Sequence, residues 1–152
     1  MAASEPRPHI LLLSVDTLRA DRMGSYGYAR KTSPHLDDLL AKGARFADAR
    51  TIEPLTAPAL ASMLTSLPPH EHGSTRNGLR VRPELPSLPK ILRRYGYKTG
   101  AFVGSWTLRA KLWAMEGHFD HFEEVLTKAR WLGMVKREAT AEDLNEAALD
   151  WF

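Results

Sequence analysis

The segment "ILLLSVD", residues 10–16, limits the fold more than any other stretch of the chain. Ile10–Val15 is an apolar run without alternation, the pattern of a strand covered on both faces in a mainly parallel sheet. The run stops on an acid, Asp16, and in open α/β sheets ligands bind in the crevice beyond the carboxyl ends of the strands. A strand of this kind needs a layer on each side, so an α/β fold is expected.

The rest of the chain has a matching rhythm. Gly24 and Gly27 with their polar neighbours read as a loop, and Ser33 and Pro34 open a helix that Gly43 stops, with Asp37 and Asp38 near its positive end. Residues 45–49 read as a short strand. Residues 57–67 read as a second helix, with Leu60, Met63, Leu64 and Leu67 inward. Ser87 caps a third helix through Tyr95, with Leu88, Ile91, Leu92 and Tyr95 inward and Gly96 at its end. Residues 98–103 are the next strand, and Thr140 caps a last helix whose apolar face holds Leu144, Ala147, Ala148 and Trp151. Two or three strands leave those apolar faces short of partners, so the reading is of part of a larger fold.

Composition narrows the function classes. At 152 residues the chain has room for one domain with a core, and 43% apolar against 26% charged residues is a globular balance. No apolar run approaches the roughly 20 residues of a membrane-spanning helix. "MAASEPRPH" carries no apolar segment after its charge, so no secretory signal is visible and a cytoplasmic location is the default. The absence of Cys removes disulfides, thiolate metal sites and cysteine nucleophiles. The +3 charge comes from Lys and Arg scattered among acids, without the aromatic and basic pattern of a nucleic-acid surface, so no nucleic-acid partner is expected.

Five residues stand out chemically, each with a plain reading beside a reactive one. Asp16 either caps the turn after its strand or offers a carboxylate to a hard or borderline metal ion. Thr56 suits the N-cap of the second helix; there its hydroxyl also lies beside N–H groups that favour an anion and, with a metal or base, an alkoxide. His70 and His72 make a weak metal signal and read more simply as surface or supporting groups. Asn77, between Arg76 and Gly78, is a turn residue or an amide donor to an anionic oxygen. His118 and His121 alternate with Phe119 and Phe122, which points to packing. Arg109, Lys111 and the run around Lys136 read as a solvated face.

Taken together, "SVDTLRADRMGSYGY", "TSPHLDDLLAKGARF", "TAPALASMLTSLPPHEHG" and "YGYKTGAF" resemble, in order and spacing, the N-terminal part of the sulfatase family in the alkaline phosphatase superfamily. The resemblance runs from about residue 10 to residue 124 and implies a partial alkaline-phosphatase-like fold, a mainly parallel sheet with flanking helices and a missing C-terminal part. Residues 1–8 would be a flexible N-terminus and 9–152 an incomplete N-terminal domain. By the resemblance Asp16 matches a metal-binding acid, with Thr17 where many relatives carry a second. Thr56 matches the nucleophile and a metal-bound oxygen. Sulfatases carry there a Cys or Ser that is oxidised to formylglycine, a route closed to Thr. The match is instead to the Thr nucleophile of phosphodiesterase and phosphotransferase relatives. Asn77 and His72 fall in segments resembling those around the substrate. Ala59 and Leu60 replace the usual Ser and Arg after the motif's proline, and Ser105 and Thr107 stand in place of a Lys and a His.

The resemblance therefore implies hydrolysis of a sulfate or phosphate ester with a divalent metal ion, Ca, Mg, Mn or Zn. The remaining ligands of the family lie on a later strand, so the chain is expected to be an N-terminal fragment, inactive until a C-terminal half completes it. The alternative is a non-catalytic remnant or pseudoenzyme, which the four replaced polar residues favour.

Overall fold

The computed structural model describes residues 7–126, 128–131, 134–137 and 139–152. Most of the expected N-terminal arm, residues 1–6, and the side chains around Lys136 lie outside the described residues. The chain divides into two compact units, Met1–Ala49 and Arg50–Phe152.

In the first unit, two single-turn 3-10 helices, Ala20–Arg22 and Gly24–Tyr26, precede helix α1, Pro34–Ala41. Pro34 at its first position costs the helix no hydrogen bond, as the sequence leads one to expect. Asp37 on α1 draws the preceding turn onto the helix. Its carboxylate accepts the Ser25 N–H at 2.7 Å and the Ser33 hydroxyl at 3.1 Å. Those bonds, the Ser25 N–H first, hold its pKa below the usual carboxylate range. A Cβ on Gly24 would lie 2.4 Å from an Asp37 oxygen, so a larger residue there would push that carboxylate aside. The Tyr26 hydroxyl donates to the Phe46 carbonyl at 2.9 Å.

The strands expected at residues 10–15 and 45–49 do not form. Residues 10–15 have no ladder partner among the described residues, and Leu11 is 80% exposed. The physical reason is that a strand is defined by its neighbour, and the described part of this unit contains no second strand to bond to.

The second unit is built around helix α2, Thr56–Thr65. It buries Ala57, Ala61 and Leu64, a stripe at i, i+4 and i+7, against Val81, Val103, Leu108, Trp113 and Met115. The inward face is thus rotated from the expected one: small alanines make the close approach, Leu60 packs at the margin and Met63 is 55% exposed. The helix ends at Ser66 in a left-handed conformation, since Pro68 disfavours helical backbone at Leu67. A one-turn helix α3, Pro69–His72, follows. Helix α4, Leu88–Arg94, starts on Ser87, whose hydroxyl accepts the Lys90 N–H. Its expected inward residues are corrected: Leu88, Ile91 and Tyr95 are exposed, and within this unit α4 buries Pro89.

Strand β1, Gly100–Val103, pairs in parallel with β2, His121–Glu124, in the register Gly100 to His121 through Val103 to Glu124. The crossover between them holds helix α5, Ala110–Trp113. The ladder opens on a bracket in which Asp120 accepts both the N–H and the hydroxyl of Thr99, at 2.9 and 3.0 Å. Strands β3, Lys128–Trp131, and β4, Met134–Arg137, form an antiparallel hairpin. Helix α6, Ala141–Trp151, begins with a capping box between Thr140 and Asp143 and lays Trp151 edge-on to Phe102 of β1 at 6.1 Å. The molecule is therefore α/β, with one parallel strand pair and helices among the described residues.

Candidate active site

The predicted site residues divide between the two units. Asp16 lies in the turn that ends the apolar run, followed by Thr17 at φ 56°. A β-branched residue in the left-handed region is strained, and such strain persists only where the surrounding structure demands that turn. The next residues are braced by a bidentate pair, Arg19 to Asp21 at 2.8 and 2.7 Å, exposed to water and so of small energetic weight.

Thr56, Asn77 and His72 come together around α2. Thr56 is the first residue of the helix and not its N-cap; the cap position is Leu55, whose side chain has nothing to cap with. Pro58 has no N–H, and the Ala59 N–H bonds back to the Leu55 carbonyl at 3.0 Å. The Ala57 N–H is taken by the Asn77 side-chain oxygen at 3.0 Å, from 20 residues away. So Asn77, read from sequence as a turn residue or an amide donor, supplies the cap that Thr56 was expected to supply.

His72 is fully buried. The Ser74 N–H donates to its Nδ1 at 3.1 Å, which leaves the ring proton on Nε2, 2.9 Å from the Ser62 hydroxyl oxygen. Burial lowers its pKa, so the ring is a neutral brace between the turn after α3 and the middle of α2. His70 is exposed, 3.7 Å from Glu71. His118 is buried against the Ser87 hydroxyl at 2.9 Å, in keeping with a packing role. Arg109 is not simply solvated: it pairs with Glu124 at 2.9 Å.

Two replaced positions close on themselves. The Ser105 and Thr107 hydroxyls bond each other at 3.0 Å, and Leu60 lies against the apolar core. Sequence reasoning missed one residue altogether. Trp113, 3% exposed, donates its indole N–H to the Ala57 carbonyl at 3.1 Å across 56 residues of chain. Nothing local in "AKLWAM" distinguishes it from an ordinary core tryptophan.

As metal donors, Asp16 and Thr56 have suitable oxygen chemistry but amount to one carboxylate and one hydroxyl. No group of three or more His, Asp or Glu gathers among the described residues. A divalent ion takes about four to eight ligands, so these donors do not by themselves make a complete site.

A family profile described as Sulfatase matches residues 8–143. Among curated proteins the chain is 31% identical over 116 residues to the N-acetylglucosamine-6-O-sulfatase of Bacteroides thetaiotaomicron, covering 76% of this chain and 20% of that protein. It is 37% identical over 116 residues to arylsulfatase A of Bos taurus and 34% identical to that of Homo sapiens, each match covering 71% of this chain and 22% of the relative. The chain thus spans about a fifth of the length of these relatives. No solved structure matches it significantly. With nearly the whole chain inside the matched region, it belongs to the sulfatase family of the alkaline phosphatase superfamily.

Proposed function

We propose that the chain is the N-terminal part of a metal-dependent hydrolase of sulfate or phosphate esters, with an alkaline-phosphatase-like fold that a C-terminal portion completes. The supporting observation is the start of α2: Thr56 is its first residue, at the positive end of a ten-residue helix whose adjacent N–H is capped by another side chain. In this reading Thr56 is the nucleophile and a metal-bound oxygen, Asp16 is a metal ligand, and the amide of Asn77 meets the anionic ester. His72 serves the substrate side by bracing the turn that leads to Asn77. A bound divalent ion, Ca, Mg, Mn or Zn, would polarise the ester and activate the hydroxyl. Because the chain's donor set is incomplete, the isolated chain is expected to be inactive.

Leu60 and the paired Ser105 and Thr107 favour a second reading, a non-catalytic remnant of the fold, since a leucine fills one family polar position and the hydroxyls at two others bond each other. Calorimetric titration of Mg, Ca, Mn and Zn ions into the chain and into Asp16→Ala tests the first reading, with aryl sulfate and phosphodiester hydrolysis measured on the same samples. Weak binding that Asp16→Ala abolishes, without turnover, is expected. Turnover requiring Thr56 would show the site to be complete in these residues and end the fragment reading; binding indifferent to Asp16 would remove that ligand and favour the remnant.

A further inference from the structure

Ala57 is the most tightly held residue near the proposed nucleophile, although it carries no functional group. It is wholly buried, its N–H donates to Asn77 Oδ1 at 3.0 Å, and its carbonyl accepts from Trp113 Nε1 at 3.1 Å. Neither partner is local. Both belong to segments that are themselves joined, because the Val81 N–H, four residues after Asn77, donates to the Trp113 backbone carbonyl at 2.9 Å. The Arg82 N–H next to it donates to the His72 carbonyl at 3.0 Å, and His72 in turn holds Ser62 on the same helix.

The amide N–H of Ala57 belongs to the peptide unit that begins at the Thr56 carbonyl carbon, one bond from the Thr56 Cα. A side chain that fixes this unit fixes the Thr56 Cα and, with helical backbone angles, restricts the direction in which its Cα–Cβ bond leaves the helix. The Trp113 bond holds the following peptide unit, where Pro58 already restricts the backbone. Two anchors on consecutive peptide units leave little freedom to rotate the first turn as a whole.

We propose that Trp113 and Asn77 are positioning residues that together aim the Thr56 hydroxyl by clamping Ala57 at both of its polar backbone groups. The inference rests on the reading of Thr56 as the reacting oxygen, but the clamp is measurable without turnover. In solution NMR of the full chain, the three-bond couplings from the backbone nitrogen and carbonyl carbon to the Thr56 methyl carbon report its rotamer. The Ala57 amide exchange rate reports the anchor itself.

Trp113→Phe keeps an aromatic ring in the core and removes the N–H. Asn77→Leu removes the acceptor, and Asn77→Asp retains one. Trp113→Phe and Asn77→Leu are each expected to speed Ala57 exchange roughly fivefold to tenfold, the effect of losing one hydrogen bond of ordinary net strength. Both should also move the Thr56 couplings toward rotamer-averaged values while resonances elsewhere keep native shifts; Asn77→Asp should restore both readouts. A role in stability alone would lower the melting temperature and leave the Thr56 couplings of the folded molecules unchanged, and that result would overturn the proposal. So would an Ala57 amide that exchanges freely in the unaltered chain, an outcome that stands even where Asn77→Leu does not fold. Thr56→Ala assayed for ester hydrolysis separates the two questions: lack of any Thr56-dependent turnover removes the nucleophile while leaving the clamp to stand or fall on its couplings.

Discussion

Two buried histidines, His118 and His72, set how this chain responds to acid. His118 has its Nδ1 against Ser87, while its Nε2 has no partner among the described residues; burial, and then the nearby positive Lys90, push its pKa down to about 4. His72 is shifted in the same direction, by burial first. A folded-state pKa below the ordinary 6.5 means that the unfolded chain binds more protons between those values, so the stabilising contribution is complete above about pH 6.5 and is lost as pH falls toward 4. His118 then costs up to about 1.4 kcal/mol per pH unit across that window. Urea unfolding at a series of pH values should show stability declining on acidification, with a shallower decline in His118→Gln. Equal slopes in the two proteins would mean that His118 is not held neutral by the fold.

At the scale of elements, the chain leaving β1 at Gly104 lies close against the start of α6. A Cβ on Gly104 would lie 3.0 Å from both the Ala139 Cβ and a Leu144 methyl, so Gly104→Ala should cost about 1–3 kcal/mol in thermal unfolding, the usual penalty of overpacking. Thr140→Ala removes the side-chain half of the capping box and should cost about 1 kcal/mol, measured the same way. Helix starts of this kind were legible in the sequence, because Ser33–Pro34, Ser87 and Thr140 carry the signal within one turn of the backbone. Strand β1 was legible as well. Strand β2 was not, since "HFEE" has neither alternation nor an apolar run and becomes a strand by pairing with Gly100–Val103. The site followed the same rule. Asp16, Thr56, His72 and Asn77 were visible as residue types in motifs, but their bonds were not. Asn77 to Ala57 spans 20 residues and Trp113 to Ala57 spans 56, distances at which local pattern carries no information.

For the whole molecule, division into two compact units predicts unequal independence. The second unit contains the buried apolar cluster from Ala57 to Met115, whereas the buried residues described in the first are Met23 and Ser33. A protein beginning at Arg50 is therefore expected to unfold cooperatively with the near-ultraviolet signal of a packed Trp113. The peptide 1–49 alone should show little fixed structure by circular dichroism. Retained structure in that peptide, or none in the longer piece, would contradict this account of where the folding energy resides.

The uncovered run at residues 10–15 also matters during synthesis. In translation that run precedes Gly100–Val103, the first described strand, by about 90 residues. At roughly 5–20 residues per second, this is on the order of 5–20 seconds in which an apolar, strand-prone segment stands in water with unpaired backbone groups. Its side chains are exposed, Leu11 to 80%. The yield of soluble protein is therefore expected to depend on this segment, where a chaperone that holds extended apolar peptides would act before the described strands are made.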